Sequence, residues 1–245
     1  MPLSPADQKL LQIVTAAPPA TIDQAIVIMQ SIDDLLPGSD GLKWFNLLYL
    51  FVTKQVRDLP GNVSFEDPQW LTRLDVVFVN FYFRALADFL NGSADAPSSW
   101  NALLEARDRT GVDRIQFALA GMNAHINHDL ALALLQTDDE LHLQPAKDSP
   151  EHRDYEVINT LLEAVLPKAL EFLATGILGE LAQDTGKIGQ LLAIWNVSVA
   201  RDLAWDFADH LRNLDGPFRQ IALDAQDKTT GTLGRVLLLP LQPVP

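Results

Sequence analysis

Apolar residues recur at three- and four-residue spacing along nearly the whole chain, and this period constrains the fold more than any other feature. Such spacing places apolar side chains on one face of an α-helix, whereas a half-buried β-strand needs strict alternation of apolar and polar residues. Runs of that alternating kind are scarce here. The sequence therefore predicts an all-α protein, which we expect to be a single multi-helix, bundle-like domain over residues 1–245 with an irregular tail at about 240–245.

Capping residues and helix breakers divide this periodic pattern into separate helices. Thr21, three residues before Gln24, has the spacing of a capping box, and Asp67 before Pro68 is typical of a helix start. Pro167 predicts a kink inside a long helix. The predicted helices cover about 5–16, 22–36, 40–57, 68–91, 99–109, 113–136, 151–175 and 187–213, with one more beyond residue 217.

The segment from Thr137 to Arg153 is the longest predicted loop, and loops of this length are often lids or linkers. Two histidines lie in or near it, and we expect both to be solvated: His142 and His152.

Composition excludes several classes of function. The chain has no cysteine, which rules out disulfides, thiolate metal sites and cysteine nucleophiles. Its 32 acidic and 18 basic residues give a formal net charge of −14, which repels nucleic-acid phosphates and anionic membranes. The start of the chain lacks the pattern of a secretory signal, and no long uncharged apolar stretch follows. We therefore expect a cytoplasmic protein with neither nucleic acid nor membrane as a partner.

The stretch from Gly121 to Leu130 reads Gly-Met-Asn-Ala-His-Ile-Asn-His-Asp-Leu, which puts five strongly polar side chains into a segment that is otherwise built like a buried helix. Burying such groups without partners costs roughly 1–3 kcal/mol each, so the fold must supply hydrogen bonds, a metal or water. The sequence predicts a central, buried, polar helix at this point.

Helical geometry divides these polar residues between two faces. His125, His128 and Asp129 can converge on one point at about 100° per residue. The side-chain amides lie on another face, where they hold neighbouring backbone or orient a substrate: Gln116, Asn123 and Asn127.

Two imidazoles and a carboxylate at this spacing form a partial ligand set for a divalent metal such as zinc or iron. The candidate ligands are His125, His128 and Asp129. A metal-free pocket and a purely structural polar network are the alternatives, and the spacing does not match the zincin pattern.

Two other predicted helices carry polar residues on apolar faces. Asp75 and Tyr82 share the apolar face of the helix at 68–91, so Asp75 is a candidate partner of an imidazole, a ligand or an arginine. Arg201 and Trp205 lie on the helix that also carries Trp195, where a guanidinium can stack on an aromatic ring or hold a carboxylate. These residues are candidates for the wall of a pocket.

The motif from Gly121 to Leu130, the segment from Leu74 through Tyr82, and Arg201 followed by Trp205 resemble a bacterial domain family of unknown function. Its members are helical proteins of similar length with a Gly-x-Asn-Ala-His-Ile-Asn-x-Asp-Leu core, and the likeness covers about residues 40–215. The resemblance implies a helical fold and no particular activity. It also implies that the position of His128 varies, which shifts weight to His125 and Asp129.

These patterns favour an enzyme that acts on a partly apolar small molecule in a helical-bundle pocket. His125, Asp129, Asp75 and Tyr82 are the candidate catalytic residues, with or without a metal. The reactions open to them are hydrolysis, oxidation at iron and metal-free proton transfer, which makes a hydrolase or an oxidase the expected class. The candidate substrate-binding residues are Asn123, Asn127, Arg201 and Trp205, and the candidate aromatic lining is Phe78, Phe81, Phe117, Trp195 and Trp205.

The alternative is a non-catalytic binding or interaction protein in which the same residues form a structural polar core. The helix near residue 50 is apolar nearly all round from Phe45 to Val52, so it is either core or the seam of a homodimer.

Overall fold

The computed structural model describes residues 3–59, 63–175 and 196–240, and these ranges contain helices and no strand. The helices are α1 (Pro5–Thr15), α2 (Ile22–Leu35), α3 (Gly41–Arg57), α4 (Pro68–Leu90), α5 (Ser98–Leu104), α6 (Arg114–Ala124), a π-helical turn (His125–Asp129), α7 (Leu130–Leu141), α8 (Pro150–Thr175), α9 (Val197–Arg212) and α10 (Gly216–Leu237). The all-α prediction is confirmed. No helix within these ranges is long and apolar enough to cross a membrane.

The predicted helix starts are confirmed by their hydrogen bonds. The side chain of Thr21 accepts from the backbone N–H of Gln24, and that of Asp67 accepts from the backbone N–H of Trp70. Each bond satisfies one of the N–H groups that a helix leaves open at its first turn. Pro167 lies inside α8 as expected, while the part of the predicted 187–213 helix before Asn196, including Trp195, lies outside the described residues.

The predicted central helix is the continuous unit of α6, the π-turn and α7. It packs against α3, α4, α9 and α10, and its apolar residues belong to a connected core that extends from α1 to α9. The helix near residue 50 is α3, and its side chains from Phe45 to Val52 are buried or partly buried in this core. The choice between core and dimer seam for that helix is therefore settled in favour of core.

α3 and α6 pack in a four-residue register that brings Tyr49 to His125. A Cβ on Gly41 would lie 2.4 Å from the ring of Phe117, and a Cβ on Gly121 would lie 2.3 Å from the ring of Phe45. At each of these contacts, the phenylalanine ring of one helix fills the space left by the missing side chain of a glycine on the other helix. One step further along the same register, the rings of Tyr49 and His125 lie 4.6 Å apart.

The prediction of a loop over 137–153 is wrong at both ends. α7 continues to Leu141 because Asp138 is buried and accepts hydrogen bonds from Trp70 and Arg212. α8 begins at Pro150, so His152 is in a helix, buried against the ring of Trp205 at 4.6 Å instead of solvated. Exposed His142 ends α7 in a left-handed conformation.

Candidate functional site

The motif helix is interrupted at its centre by the π-turn His125–Asp129. In this turn the backbone N–H of Leu130 donates to the carbonyl of His125, five residues earlier. A π-turn inserts one residue into an α-helix and is frequent at functional sites. Both imidazoles of the motif reach the carboxylate of Asp129 within this turn.

Three nitrogen atoms surround the buried carboxylate of Asp129. Trp100 Nε1 donates to Oδ2 at 2.9 Å, His125 Nδ1 lies 2.9 Å from the same oxygen, and His128 Nδ1 lies 2.8 Å from Oδ1. An ionised carboxylate only accepts hydrogen bonds, so each imidazole carries its proton on Nδ1. The carboxylate is thereby satisfied on both oxygens and fixes the orientation of both rings.

The three ionisable groups respond differently to burial. Burial alone would raise the pKa of Asp129, but hydrogen bonds from His125 and His128 hold it below its usual value, so the carboxylate is charged. Burial lowers the pKa of His125 more than Asp129 raises it, which leaves that ring neutral near neutral pH. Burial also opposes the charge on His128, but Asp129, with help from Asp227, raises its pKa overall.

His125 is enclosed by aromatic rings. Its ring stacks flat on Phe78, with centroids 3.6 Å apart and planes at 5°. Tyr49, Phe45, Trp100 and Tyr82 surround it at 4.6 to 6.4 Å. The outer nitrogen, Nε2, is buried and has no hydrogen-bond partner among the described residues. In the neutral ring, Nε2 of His125 is therefore a hydrogen-bond acceptor that no described residue uses, and the ring that carries it stacks on Phe78.

His128 instead faces an open, acidic groove of about 470 Å³ between α4, α7 and α10. Its Nε2 lies 3.6 Å from Asp227, whose carboxylate accepts from the backbone N–H groups of Ser98 and Ser99 at the start of α5. The groove is lined by further carboxylates, among them Asp88, Asp95 and Asp224. His128 thus links the buried carboxylate of Asp129 to the surface.

A second cavity, of about 310 Å³, lies between α3, α4, α8 and α9 on the other side of Phe78. Its walls are mainly apolar, and its polar side chains include Asp75, Arg201 and Tyr49. The apolar lining comprises Ile22, Val52, Val56, Leu59, Phe65, Pro68, Leu71, Phe78, Ile158 and Leu162. A pocket of this size, apolar with a few polar groups, is at the lower end of the range for small-molecule sites.

Asp75 and Arg201 line this cavity without forming an ion pair with each other within the described structure. The Asp75 carboxyl makes no hydrogen bond to any described residue. Burial raises its pKa to about 7, and the charge of Arg201 offsets only part of that rise. Near neutral pH the Asp75 carboxyl is therefore present in both its protonated and ionised forms.

Arg201 is buried and held in place from two sides. Its Nε donates to Oδ1 of Asn159, and its guanidinium lies 4.1 Å from the centroid of the Tyr155 ring. Asn159 is oriented in turn by Glu156 and Asp202, which accept from its side-chain nitrogen. The terminal nitrogens of Arg201 donate no hydrogen bond to a described residue, so they are available to a ligand in the cavity.

The structure separates several residues that the sequence analysis grouped into one site. Tyr82 shares the helix of Asp75, but its hydroxyl donates to Oδ1 of buried Asn46 at 3.2 Å and does not line the cavity. Asn123 donates to the carbonyl of Thr230, and Asn127 donates to Asn123. Asn123 therefore holds the backbone of α10 directly, and Asn127 holds the side chain of Asn123.

The aromatic residues predicted to line a pocket are also dispersed. Phe78 lines the cavity of Asp75, whereas Phe81 lines the acidic groove and Phe117 fills the space beside Gly41. Trp205 is buried among Trp70, His152 and Tyr155, where it supports the ring on which Arg201 stacks. Its expected contact with substrate is replaced by this packing role.

Three residues that matter here were not predicted from the sequence. The hydrogen bond from Trp100 to Asp129 could not be predicted, because nothing in the spacing of the sequence relates these two residues. Tyr49 carries a hydroxyl within the apolar stretch Leu47–Val52 of α3, and Asn159 is an amide beside the apolar residues Ile158 and Leu162 of α8. The last two show the signal by which we found Asp75, a polar group on an apolar face, and could have been found in the same way.

The predicted metal ligands bind to one another within the described residues. His125 and His128 each direct Nδ1 at Asp129, so the carboxylate separates the two rings instead of sharing an ion with them. The described residues include no group of three or more His, Asp or Glu placed to hold a metal. The predicted zinc or iron site is not confirmed.

Comparison with known proteins identifies a family but no activity. Residues 22–240 match the family described as "Family of unknown function (DUF5995)". No curated protein matches the sequence, and no solved structure matches the fold.

Proposed function

The chain belongs to this family of unknown function, and from the site alone we propose that it is an enzyme whose cavity binds a partly apolar small molecule with an anionic or carbonyl group. Asp75 exchanges a proton with the bound molecule, and Arg201 binds its polar end. One observation carries the proposal: a carboxyl that has no hydrogen bond to any described residue shares a small, mainly apolar cavity with a fixed guanidinium and forms no ion pair with it.

Arg201 suits the recognition of a negatively charged or polarised oxygen. Its Nε is occupied by Asn159 and one face by Tyr155, which orients the remaining donors. Charge-assisted hydrogen bonds are about twice as strong as neutral ones, and they are strengthened further where water is excluded. Most of the lining side chains are apolar and select for an apolar body on the same molecule, and the other polar side chains of the lining are Tyr49, Thr53, Arg57 and Thr72.

Asp75 suits proton transfer because its pKa, raised to about 7 by burial, lies close to neutral pH. General acid–base catalysis is most efficient when the pKa of the catalytic group is near the working pH. A proton moves from the carbon next to the ligand's carbonyl to ionised Asp75, and Arg201 stabilises the negative charge that develops on the carbonyl oxygen. Protonated Asp75 then returns a proton to that carbon. Neither step needs a group beyond these two side chains and the ligand.

The His125–Asp129 pair supports this site from behind. His125 stacks on the face of Phe78, and Phe78 is part of the cavity wall. Because Asp129 and Trp100 fix the His125 ring, they also fix the wall against which the ligand packs. We therefore assign His125 and Asp129 a positioning role in this proposal and Asp75 the catalytic one.

A second candidate is a non-catalytic binding protein with a structural polar core. It is favoured by the enclosure of His125, which is 1 % exposed and does not line the cavity. In that case Arg201 binds the ligand as above, but no proton is transferred.

Binding is tested by calorimetry with phenylbutyrate and its neutral amide. We expect the carboxylate to bind with uptake of a proton by Asp75 and about tenfold more weakly at ~pH 8 than at ~pH 6, since the protonated fraction falls across its pKa. Asp75→Asn should abolish this pH dependence, and Arg201→Gln should abolish the preference for the carboxylate over the amide. The matched controls are Asp34→Asn and Arg219→Gln, which change residues outside the cavity.

Catalysis is tested with phenylpyruvate in deuterium oxide, where proton transfer exchanges the hydrogens on the carbon next to the carbonyl. Exchange above background that is lost in Asp75→Asn supports the enzyme. Binding without exchange supports the non-catalytic candidate. Failure of both carboxylates to bind would overturn the assignment of this cavity.

A further inference from the structure

One face of α10 is apolar, uncharged and exposed. Its residues are spaced three or four apart: Phe218, Ile221, Ala225, Thr229, Thr232 and Val236. Leu239 continues the series directly after the helix. Phe218 and Ile221 are both 64 % exposed, Val236 is 56 % exposed and Leu239 is 57 % exposed. We call these seven residues the α10 stripe.

The stripe is straight and lies opposite the side of α10 that docks onto the protein. From Phe218 to Val236 it completes five turns at about 3.6 residues per turn, so it does not wind around the helix. The docked side contains Gly231 and Gly234, where an added Cβ would lie 2.5 Å from Ser98 and 2.9 Å from Ala102. α10 is therefore held tightly on α5 while its stripe faces outwards.

The stripe is large for a surface that stays in water. Bulky apolar side chains have areas of roughly 150–250 Å², so four of them at these exposures present on the order of 400 Å². Ala225, Thr229 and Thr232 extend the patch along the helix. Contiguous apolar patches of about 300–600 Å² are the largest that a typical monomer exposes, and they are often functional.

The arrangement of side chains suits a second copy of the same helix. Small residues occupy the middle of the stripe and bulky residues occupy both ends, so two copies related by a two-fold axis meet small against small and bulky against bulky. Asp224 and Arg235 lie on the same flank of the stripe, so an antiparallel pair brings Asp224 of one copy near Arg235 of the other, which also pairs with Glu105 of its own chain at 3.6 Å. Elsewhere the net charge of −14 makes two copies repel, which favours contact at an uncharged face.

We propose that two copies of this chain form a homodimer through antiparallel contact of their α10 stripes. The contact lies on the side of α10 that faces away from α5 and α6, and the residues lining the cavity of Asp75 take no part in it. The dimer therefore does not depend on the proposed enzymatic activity.

Light scattering coupled to size exclusion, over a range of protein concentrations, tests this. We expect a dimer for the wild type and a monomer with unchanged helical circular dichroism for Ile221→Glu combined with Val236→Glu. Val27→Glu is the matched control, because Val27 is also 64 % exposed but lies on α2. It should leave the dimer intact.

The absence of cysteine allows a second, independent test. A short bismaleimide should cross-link Thr229→Cys protein into covalent dimers and should give no covalent dimer of Val27→Cys protein, whose α10 stripe is unchanged. The proposal would be overturned if the wild type were monomeric at all concentrations. It would also be overturned if the double glutamate variant were still a dimer.

Discussion

Replacing Asp75 with asparagine should stabilise the protein, and the gain should depend on pH. The Asp75 carboxyl has a pKa of about 7 because burial disfavours its charged form, against 3.8 in its ordinary state. One pKa unit is worth ~1.4 kcal/mol, so the ionised carboxylate costs the folded state roughly 4 kcal/mol. This is the upper value, because water that enters the cavity solvates the charge.

The direction in which stability changes with pH follows from the number of protons that Asp75 binds in the folded and unfolded states. Between about pH 4 and pH 7 the folded protein keeps a proton on Asp75 that the unfolded chain has released, so the free energy of unfolding falls as pH rises through this window. Asparagine is neutral at every pH and avoids this loss. We therefore expect Asp75→Asn to be more stable by up to about 4 kcal/mol at ~pH 8 and by less than about 1 kcal/mol at ~pH 4.

Urea denaturation at both pH values measures this difference, and the melting temperature at the higher pH should rise by roughly 10 °C. Asp34→Asn, on the exposed side of α2, is the control and should change neither value appreciably. A gain that is equal at both pH values, or a loss at ~pH 8, would refute the view that Asp75 is an unpartnered carboxyl in an apolar cavity.

Two further predictions concern the packing and the charge of the motif helix. Gly121→Ala should lower the free energy of unfolding, measured by urea denaturation, by about 2 kcal/mol, because the new methyl group would lie 2.3 Å from Phe45. Gly216→Ala is the control and should be nearly neutral in this assay, because the space around Gly216 is open. His128→Gln should destabilise the protein by about 2 kcal/mol at ~pH 6 and by less at ~pH 9. The pKa of His128 is raised in the folded state, so the stability that its charge contributes is fully present below the pKa of the unfolded chain. This stability is lost as the pH rises through the pKa of the folded state. Equal losses at the two pH values would contradict the charge assigned to His128.

Most of the helix pattern was predictable because it depends on neighbours in sequence. The caps at Thr21 and Asp67 act within three residues, and the predicted starts at these positions are confirmed. The prediction of a loop beginning at Thr137 was wrong because the end of α7 depends on residues that are distant in sequence. Asp138 stays helical because Trp70 and Arg212, distant in sequence, bind its carboxylate.

The candidate site was predictable only in part. The sequence pattern identified Asp75 and Arg201 as polar residues on apolar faces, and both line the cavity. It placed His125 near Asp129, and the two side chains are hydrogen-bonded. It could not exclude Tyr82, which shares the apolar face of Asp75, because the hydrogen bond from its hydroxyl goes to Asn46 on another helix.

The helical class, the main helix starts and the polar residues on apolar faces were predictable from the amino-acid sequence, because periodicity and capping are local properties of the chain. Which partner each buried group has was decided by tertiary structure. The four-residue register between α3 and α6 brings Tyr49 to His125, and the packing of α4 against α8 and α9 brings Asp75 and Arg201 to one cavity. Such contacts depend on the shapes of whole helix faces, since a glycine on one helix must meet a phenylalanine on another before the polar groups can meet.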